Sequence, residues 1–104
     1  MTTPDDSQIA RIAETYRLLG DRTRLRVMLA CLRGPIAVGD IAETLGVSPS
    51  LVSHHLRLLR SARLVRGTRR NKQVFYEAED DHIAHMLTDM IEHVAEEQGN
   101  SNAP

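Results

Sequence analysis

In five stretches of the chain, hydrophobic residues recur every three or four positions, the spacing that places them on one face of a helix. Gly20, Gly34 and Gly46 end the first three of these stretches, as glycine commonly does at a helix C-terminus. The fourth runs from Ser48 to about Ala62, because a hydroxyl N-cap followed by proline is a strong start signal. The pattern therefore predicts a mainly helical protein.

A β-hairpin is predicted between the fourth and fifth helices. Residues 64–68 and 73–77 are two strand-like runs, and the polar residues 69–72 form a basic tip between them. Either Asp80 or Asp81 then caps the last helix. The expected fold is mainly α with a small β-hairpin.

The 104 residues suit one domain, which we expect to span residues 7–98, between a disordered N-terminus (1–6) and a disordered tail (99–104). A content of 41% hydrophobic and 26% charged residues is typical of a globular protein. No apolar run approaches the ~20 residues that a membrane-spanning helix needs. Cys31 is the only cysteine, which excludes an intrachain disulfide and indicates a reducing cytoplasm.

Charge is divided sharply along the chain. Residues 48–76 contain seven Arg or Lys and no acidic residue, whereas residues 77–97 contain eight Asp or Glu and no Arg or Lys. The first segment suits a polyanion such as nucleic acid, and the second suits a cation or a solvated surface. The net charge of −1 conceals both.

The third and fourth helices, with the glycine-containing turn between them, form a predicted helix-turn-helix, and the hairpin makes it winged. The fourth helix can enter the major groove of DNA, where Ser and His side chains reach base edges or phosphates. Basic residues of this helix and of the hairpin tip would bind phosphates. A merely solvated helix face is the alternative. The candidate DNA contacts are Ser48, Ser50, Ser53, His54, His55, Arg57, Arg69, Arg70 and Lys72.

His55 is the ambiguous member of this set. It neighbours the predicted buried stripe of the fourth helix, which consists of Val52, Leu56 and Leu59. The sequence is compatible with packing of His55 against the core and equally with contact between His55 and DNA.

The last helix carries a stripe of possible metal ligands at spacings of three and four residues: His82, His85, Asp89, His93 and Glu96. Imidazole and carboxylate groups together form a normal zinc environment. His82 and His93 lie eleven residues apart, about 16 Å along a helix, so they cannot share an ion within one helix. Two antiparallel copies of the helix in a dimer could bring them together. An acidic, solvated helix face is the alternative.

Four segments together resemble the ArsR/SmtB family of bacterial repressors: residues 19–26, 38–46 and 48–60, and residues 64–66 leading to 74–76. The resemblance implies a homodimeric winged-helix repressor whose first and last helices build the dimer interface. It also implies that the serines and histidines of 50–55 lie on or beside the DNA-reading helix. The paired cysteines of the arsenic- and cadmium-sensing branch are absent from residues 36–41.

Zinc-sensing members of the family carry Asp-x-His and, ten residues later, His-x-x-Glu or His-x-x-His on the last helix. Here the matching residues are Asp80, His82, His93 and Glu96. The resemblance therefore implies a tetrahedral zinc site with two ligands from each protomer, and cobalt, nickel and cadmium are other metals that such a set binds. Asp81 competes with Asp80, since one can cap the helix while the other binds metal.

The resemblance implies that the metal-free homodimer binds double-stranded operator DNA and that zinc releases it. A winged-helix regulator that is independent of metal is the alternative. No His-Glu-x-x-His motif, glycine-rich phosphate loop or nucleophile elbow is present, so an enzyme is not expected.

Overall fold

The computed structural model describes residues 2–101. Its helices and the β-hairpin follow one another in the order that the hydrophobic pattern predicts. Five α-helices surround a small sheet. Their order along the chain is α1 (Asp6–Leu19), α2 (Arg22–Ala30), a 3-10 turn (Cys31–Arg33), β1 (Ile36–Ala37), α3 (Val38–Leu45), α4 (Pro49–Ser61), β2 (Val65–Arg70), β3 (Gln73–Ala78) and α5 (Asp81–Ser101).

Two boundaries differ from the expected ones. At the N-terminus, the Asp5 carboxylate accepts a hydrogen bond from the backbone N–H of Gln8 at 2.8 Å, and the Gln8 side chain accepts one from the Asp5 N–H at 2.9 Å. This reciprocal capping starts α1 at Asp6, inside the segment predicted to be disordered. At the other end, α5 continues to Ser101 rather than ending near Gln98, because one exposed glycine costs a helix only about 1 kcal/mol. Residues 102–104 lie outside the described residues.

The predicted hairpin is part of a three-stranded antiparallel sheet with the order β1–β3–β2. Gly67 of β2 stands opposite Tyr76 of β3. A Cβ atom on Gly67 would lie 3.0 Å from both Tyr76 Cε1 and Val74 Cγ1, so a side chain there would displace the tyrosine ring. Glycine at this position therefore lets the Tyr76 ring lie across the hairpin.

The core forms where α2, α3 and α4 meet the sheet. Its fully buried side chains are Val27, Met28, Cys31, Ile41, Val52, Leu56, Leu59, Leu64 and Val65. The predicted stripe of α4 is thus confirmed as buried. Each such side chain contributes about 1.5–3 kcal/mol to folding by leaving water.

Helices α1 and α5 keep large apolar side chains exposed in the single chain. Three lie on α1 and three on the second half of α5: Ile9, Ile12, Tyr16, Met90, Ile91 and Val94. The first half of α5 is held to the domain by Leu87, which is buried, and the Tyr16 hydroxyl lies 3.8 Å from the Met86 sulfur. The two helices therefore touch each other and still leave apolar surface uncovered.

A candidate DNA interface and a candidate metal-binding helix

Helix α4 has a polar outer face at the position that the sequence predicts. The Ser48 hydroxyl accepts a hydrogen bond from the backbone N–H of Leu51 at 3.1 Å, and Pro49 occupies the first turn. Ser50, Ser53 and His54 are exposed, as is Arg57 one turn further on. The free backbone N–H groups at this end of the helix favour an anion such as a DNA phosphate.

His55 lies on the inner side of α4, so its inclusion among the expected DNA contacts is corrected. It is 7% exposed, and its Nδ1 lies 3.5 Å from Nη1 of Arg24 on α2. Burial lowers the pKa of His55, as do the charges of Arg24 and His54, although the nearby Asp21 carboxylate opposes this shift. The imidazole is packed behind the exposed polar face of α4.

The hairpin tip, or wing, presents three unpaired cations. Arg69, Arg70 and Lys72 are exposed, and none forms an ion pair within the described residues. The Arg70 guanidinium carbon lies 5.8 Å from the centre of the Phe75 ring, a cation–π contact that orients the charge. Asn71 turns the chain with a φ of 58°. By contrast, Arg66 at the base of the hairpin donates to Glu77 at 2.7 Å and is neutralised there.

A cleft of about 460 Å³ lies between α4 and Tyr76 of β3. No acidic residue lines it, and its walls are formed by Ser53, Leu56, Arg57, Arg60, Ser61 and Tyr76. Sequence reasoning did not single out Arg60 and Tyr76. The alternation of β3 could have placed Tyr76 beside Val74, and the small residue opposite it, Gly67, marks where its ring fits. The surface between α4 and β3 is therefore concave, and Arg57 and Arg60 make it basic.

The choice between Asp80 and Asp81 as the cap of α5 is settled by a hydrogen bond. Asp80 Oδ1 accepts from the backbone N–H of Ile83 at 3.0 Å, and Asp81 is the first helical residue. The cap uses one carboxylate oxygen of Asp80. Asp80 would therefore have to combine capping with metal binding.

The other predicted ligands, His82, His93 and Glu96, are exposed along α5. His93 Nε2 lies 3.9 Å from a carboxylate oxygen of Glu97, too far for a hydrogen bond. Within the described residues, no three His, Cys, Asp or Glu side chains of the single chain are placed to hold a metal ion. The single chain thus does not bring the four predicted ligands together.

Cys31 is unsuitable as a metal ligand. It is 1% exposed, and burial raises the pKa of its thiol to about 12. Because thiolate rather than thiol binds metal, the candidate ligands are nitrogen and oxygen atoms.

The fold, the basic outer face of α4 and the basic wing define a winged helix-turn-helix DNA-binding protein. Residues 21–66 match the sequence family described as bacterial regulatory protein, arsR family. A transcriptional repressor SmtB homolog from Synechocystis is 39% identical over 89 residues, which cover 86% of this chain and 67% of that protein. The chain therefore belongs to the arsR family of bacterial regulators; it is a DNA-binding transcriptional regulator and not an enzyme.

Two solved structures are similar to this chain over most of its length. The cadmium metal-sensor CMTR from Mycobacterium tuberculosis is 39% identical with a TM-score of 0.68, covering 79% of this chain and 85% of that one. A homodimeric winged helix-turn-helix DNA-binding domain from Mycobacterium bovis has a TM-score of 0.81 at 23% identity, covering 100% and 98%. The second likeness shows the fold alone. Among residues 2–101, no helix is both long and apolar enough to cross a membrane.

Proposed function

We propose that this protein is a metal-responsive transcriptional repressor and that zinc is the metal. The metal-free homodimer binds operator DNA, and metal binding weakens that complex. The observation that carries the proposal is the set of exposed donor groups on α5, at Asp80, His82, His93 and Glu96, beside an apolar face that a second subunit can cover. Similarity to an SmtB-type repressor and to a cadmium sensor supports it.

Homodimerisation through α1 and α5 follows from the apolar surface that both helices leave exposed. In an antiparallel pair of α5 helices, the ligands at the start of one helix meet those near the end of the other, and the two-fold axis creates two equivalent sites.

The side-chain types of the four proposed ligands are ones that zinc commonly binds. Imidazole nitrogen and carboxylate oxygen bind zinc in tetrahedral sites, and both types of group are deprotonated near neutral pH. A bound ion would tie the two subunits together. Cobalt, nickel and cadmium bind similar sets, so the choice of zinc rests on the ligand spacing.

Operator binding uses the outer face of α4 for base contacts and the wing for phosphates. Ser50, Ser53, His54 and Arg57 face outward together, and the cations at the wing tip have no carboxylate partner among residues 2–101. Because a bacterial repressor acts where the chromosome is, we propose that this protein is cytoplasmic.

Fluorescence anisotropy tests the proposal, with a labelled duplex selected from a random pool by the metal-free protein. Zinc should raise the Kd for the duplex at least tenfold, and a chelator should restore it. Asp80→Asn should weaken zinc binding and raise the zinc concentration needed for release, because asparagine caps a helix well but lacks the charged donor. Asp81→Asn is the matched control and should behave as the unmodified protein.

Three outcomes separate the alternatives. An operator affinity that none of zinc, cobalt, nickel and cadmium changes would identify a regulator independent of metal. A response to another of these metals but not to zinc would keep metal control and reject zinc. An equal loss of zinc binding in the Asp80 and Asp81 variants would reject the assignment of Asp80.

A further inference from the structure

One guanidinium group bridges three helices behind the DNA-reading face. Arg24 Nε donates a hydrogen bond of 2.7 Å to the backbone carbonyl of Leu18, in the last turn of α1. Arg24 Nη1 lies 3.5 Å from His55 Nδ1 on the inner side of α4. The backbone N–H of Arg24 itself is fixed by the capping carboxylate of Asp21 at 2.8 Å. Arg24 thus connects α1 and α4 while anchored at the start of α2.

The bridge continues in both directions. On one side, the Tyr16 hydroxyl of α1 lies 3.8 Å from the Met86 sulfur of α5, the helix with the candidate metal ligands. On the other side, the His55 ring meets the His54 ring edge-on at 5.3 Å between centroids, and His54 is exposed on the outer face of α4. An unbroken series of contacts therefore runs from α5 to the face that reads DNA.

The chemistry of the bridge makes it sensitive to the position of α1. The last carbonyls of a helix have no partner within that helix, so the Leu18 carbonyl depends on a donor from elsewhere. A guanidinium is planar and holds its donors in a fixed fork, so Arg24 meets both partners only when α1 and α4 keep this separation. A displacement of α1 would break one of the two contacts.

We propose that Arg24 is a positioning residue for operator recognition, which holds α4 in its DNA-reading position relative to α1. Resting on the proposed function, the same bridge carries the effect of zinc from α5, through α1, to α4. Spatial continuity alone does not establish such a route; a change in the coupling between zinc and DNA does.

The test compares Arg24→Lys with the matched control Arg22→Lys, which changes an exposed arginine of the same helix. Lysine keeps the charge but cannot reach both partners. In the metal-free state, Arg24→Lys should lower the ratio of operator to random-duplex affinity about tenfold, with an unchanged circular dichroism spectrum. The control should keep the original ratio. An unchanged ratio in the Arg24 variant would overturn the proposal, whether or not the protein responds to metal.

The second measurement compares the operator Kd with and without saturating zinc. The factor by which saturating zinc raises the operator Kd should fall at least fivefold in Arg24→Lys, while zinc affinity without DNA stays the same. By reciprocity, DNA should then weaken zinc binding by the same smaller factor. If saturating zinc raises the operator Kd of Arg24→Lys as much as that of the unmodified protein, the route through Arg24 is overturned. If zinc does not change the operator Kd of the unmodified protein, the proposed function is rejected instead.

His55→Gln keeps the test decisive if the Arg24 variant folds poorly. It removes the imidazole that Arg24 contacts and should lower the affinity ratio in the same direction. If Arg24 acts through His55, the double variant should lose no more than the larger of the two single losses, since residues in one network are not additive. Fully additive losses would show that the two residues act separately and would overturn the bridge.

Discussion

At the scale of single residues, His55 illustrates what a buried imidazole does to stability. It lies near Asp21, which caps α2, near Arg24 of α2 and beside His54 of its own helix, and burial is the main cause of its lowered pKa. In the unfolded chain the imidazole takes up a proton near pH 6.5. The folded protein therefore binds that proton less readily than the unfolded chain, and acid favours unfolding.

The lowered pKa of His55 predicts that the free energy of unfolding decreases in acid. The contribution of neutral His55 to stability is fully present above about pH 6.5 and is lost as pH falls through the lower pKa of the folded state. Urea unfolding between about pH 7.5 and about pH 5.5 should show a larger loss of unfolding free energy for the unmodified protein than for His55→Gln. His54→Gln, which removes only the smallest of the causes that lower this pKa, should keep most of the original dependence. Equal pH dependence with and without His55 would contradict this account.

The helical periodicity correctly predicted that the neighbours of His55 on α4 are buried. It did not predict whether His55 itself is buried or which residue it contacts. Val52, Leu56 and Leu59 are buried as the helical spacing requires. The partner of His55, Arg24, is 31 residues away in sequence, and no local pattern indicates that contact. The proposed metal ligands would be a similar case, because a site shared with a second subunit leaves only half of its geometry in one chain.

At the scale of elements, the features that the sequence predicted correctly are those that depend on residues close together along the chain. The Ser48 cap, the glycine at the end of α3 and the basic hairpin tip are all found as the sequence indicates, and Gly46 is left-handed with a φ of 68°. The pairing of β1 with β3 joins Ile36 to Tyr76 across 40 residues, so no local pattern in the sequence predicts this third strand. The reach of α5 beyond Gly99 was missed because a helix end is only weakly specified without a cap.

The wing gives a prediction that belongs to this scale. Each cation that meets a phosphate releases counterions, so Arg69→Ala, Arg70→Ala and Lys72→Ala should each lower the slope of log K against log salt by about 0.9 for each wing, or about 1.8 for the homodimer. The triple variant should lose nearly the sum, on operator and random duplexes alike. Anisotropy at several salt concentrations measures these slopes.

The same hairpin contains its own control. Arg66→Ala combined with Glu77→Ala removes an arginine whose charge is already neutralised at 2.7 Å and leaves the net charge unchanged. That double variant should retain the original salt slope. If the wing-tip triple variant also retains it, the wing does not contact phosphate.

At the scale of the whole molecule, the chain separates its two tasks. Residues 48–76, which include α4 and the hairpin, contain Arg and Lys but no acidic residue, while residues 77–97, mostly α5, contain Asp and Glu but no Arg or Lys. The apolar residues left open on α1 and α5 lie on the helices that we expect to pair. A second copy would therefore complete the apolar face and the ligand set at the same time, and zinc affinity should depend on dimerisation.

Mixed dimers test whether each site takes ligands from both chains. If Asp80 and His82 of one chain meet His93 and Glu96 of the other, a His82→Ala homodimer and a His93→Ala homodimer should each lose both tight zinc sites. In the heterodimer of these variants, one pairing of helix ends has lost two ligands, whereas the other keeps all four. A heterodimer purified with two different tags should thus bind one zinc ion tightly, as measured by competition with a chelator. A heterodimer without a tight site would mean that each site draws its ligands from a single chain, and the antiparallel pairing of α5 would be wrong.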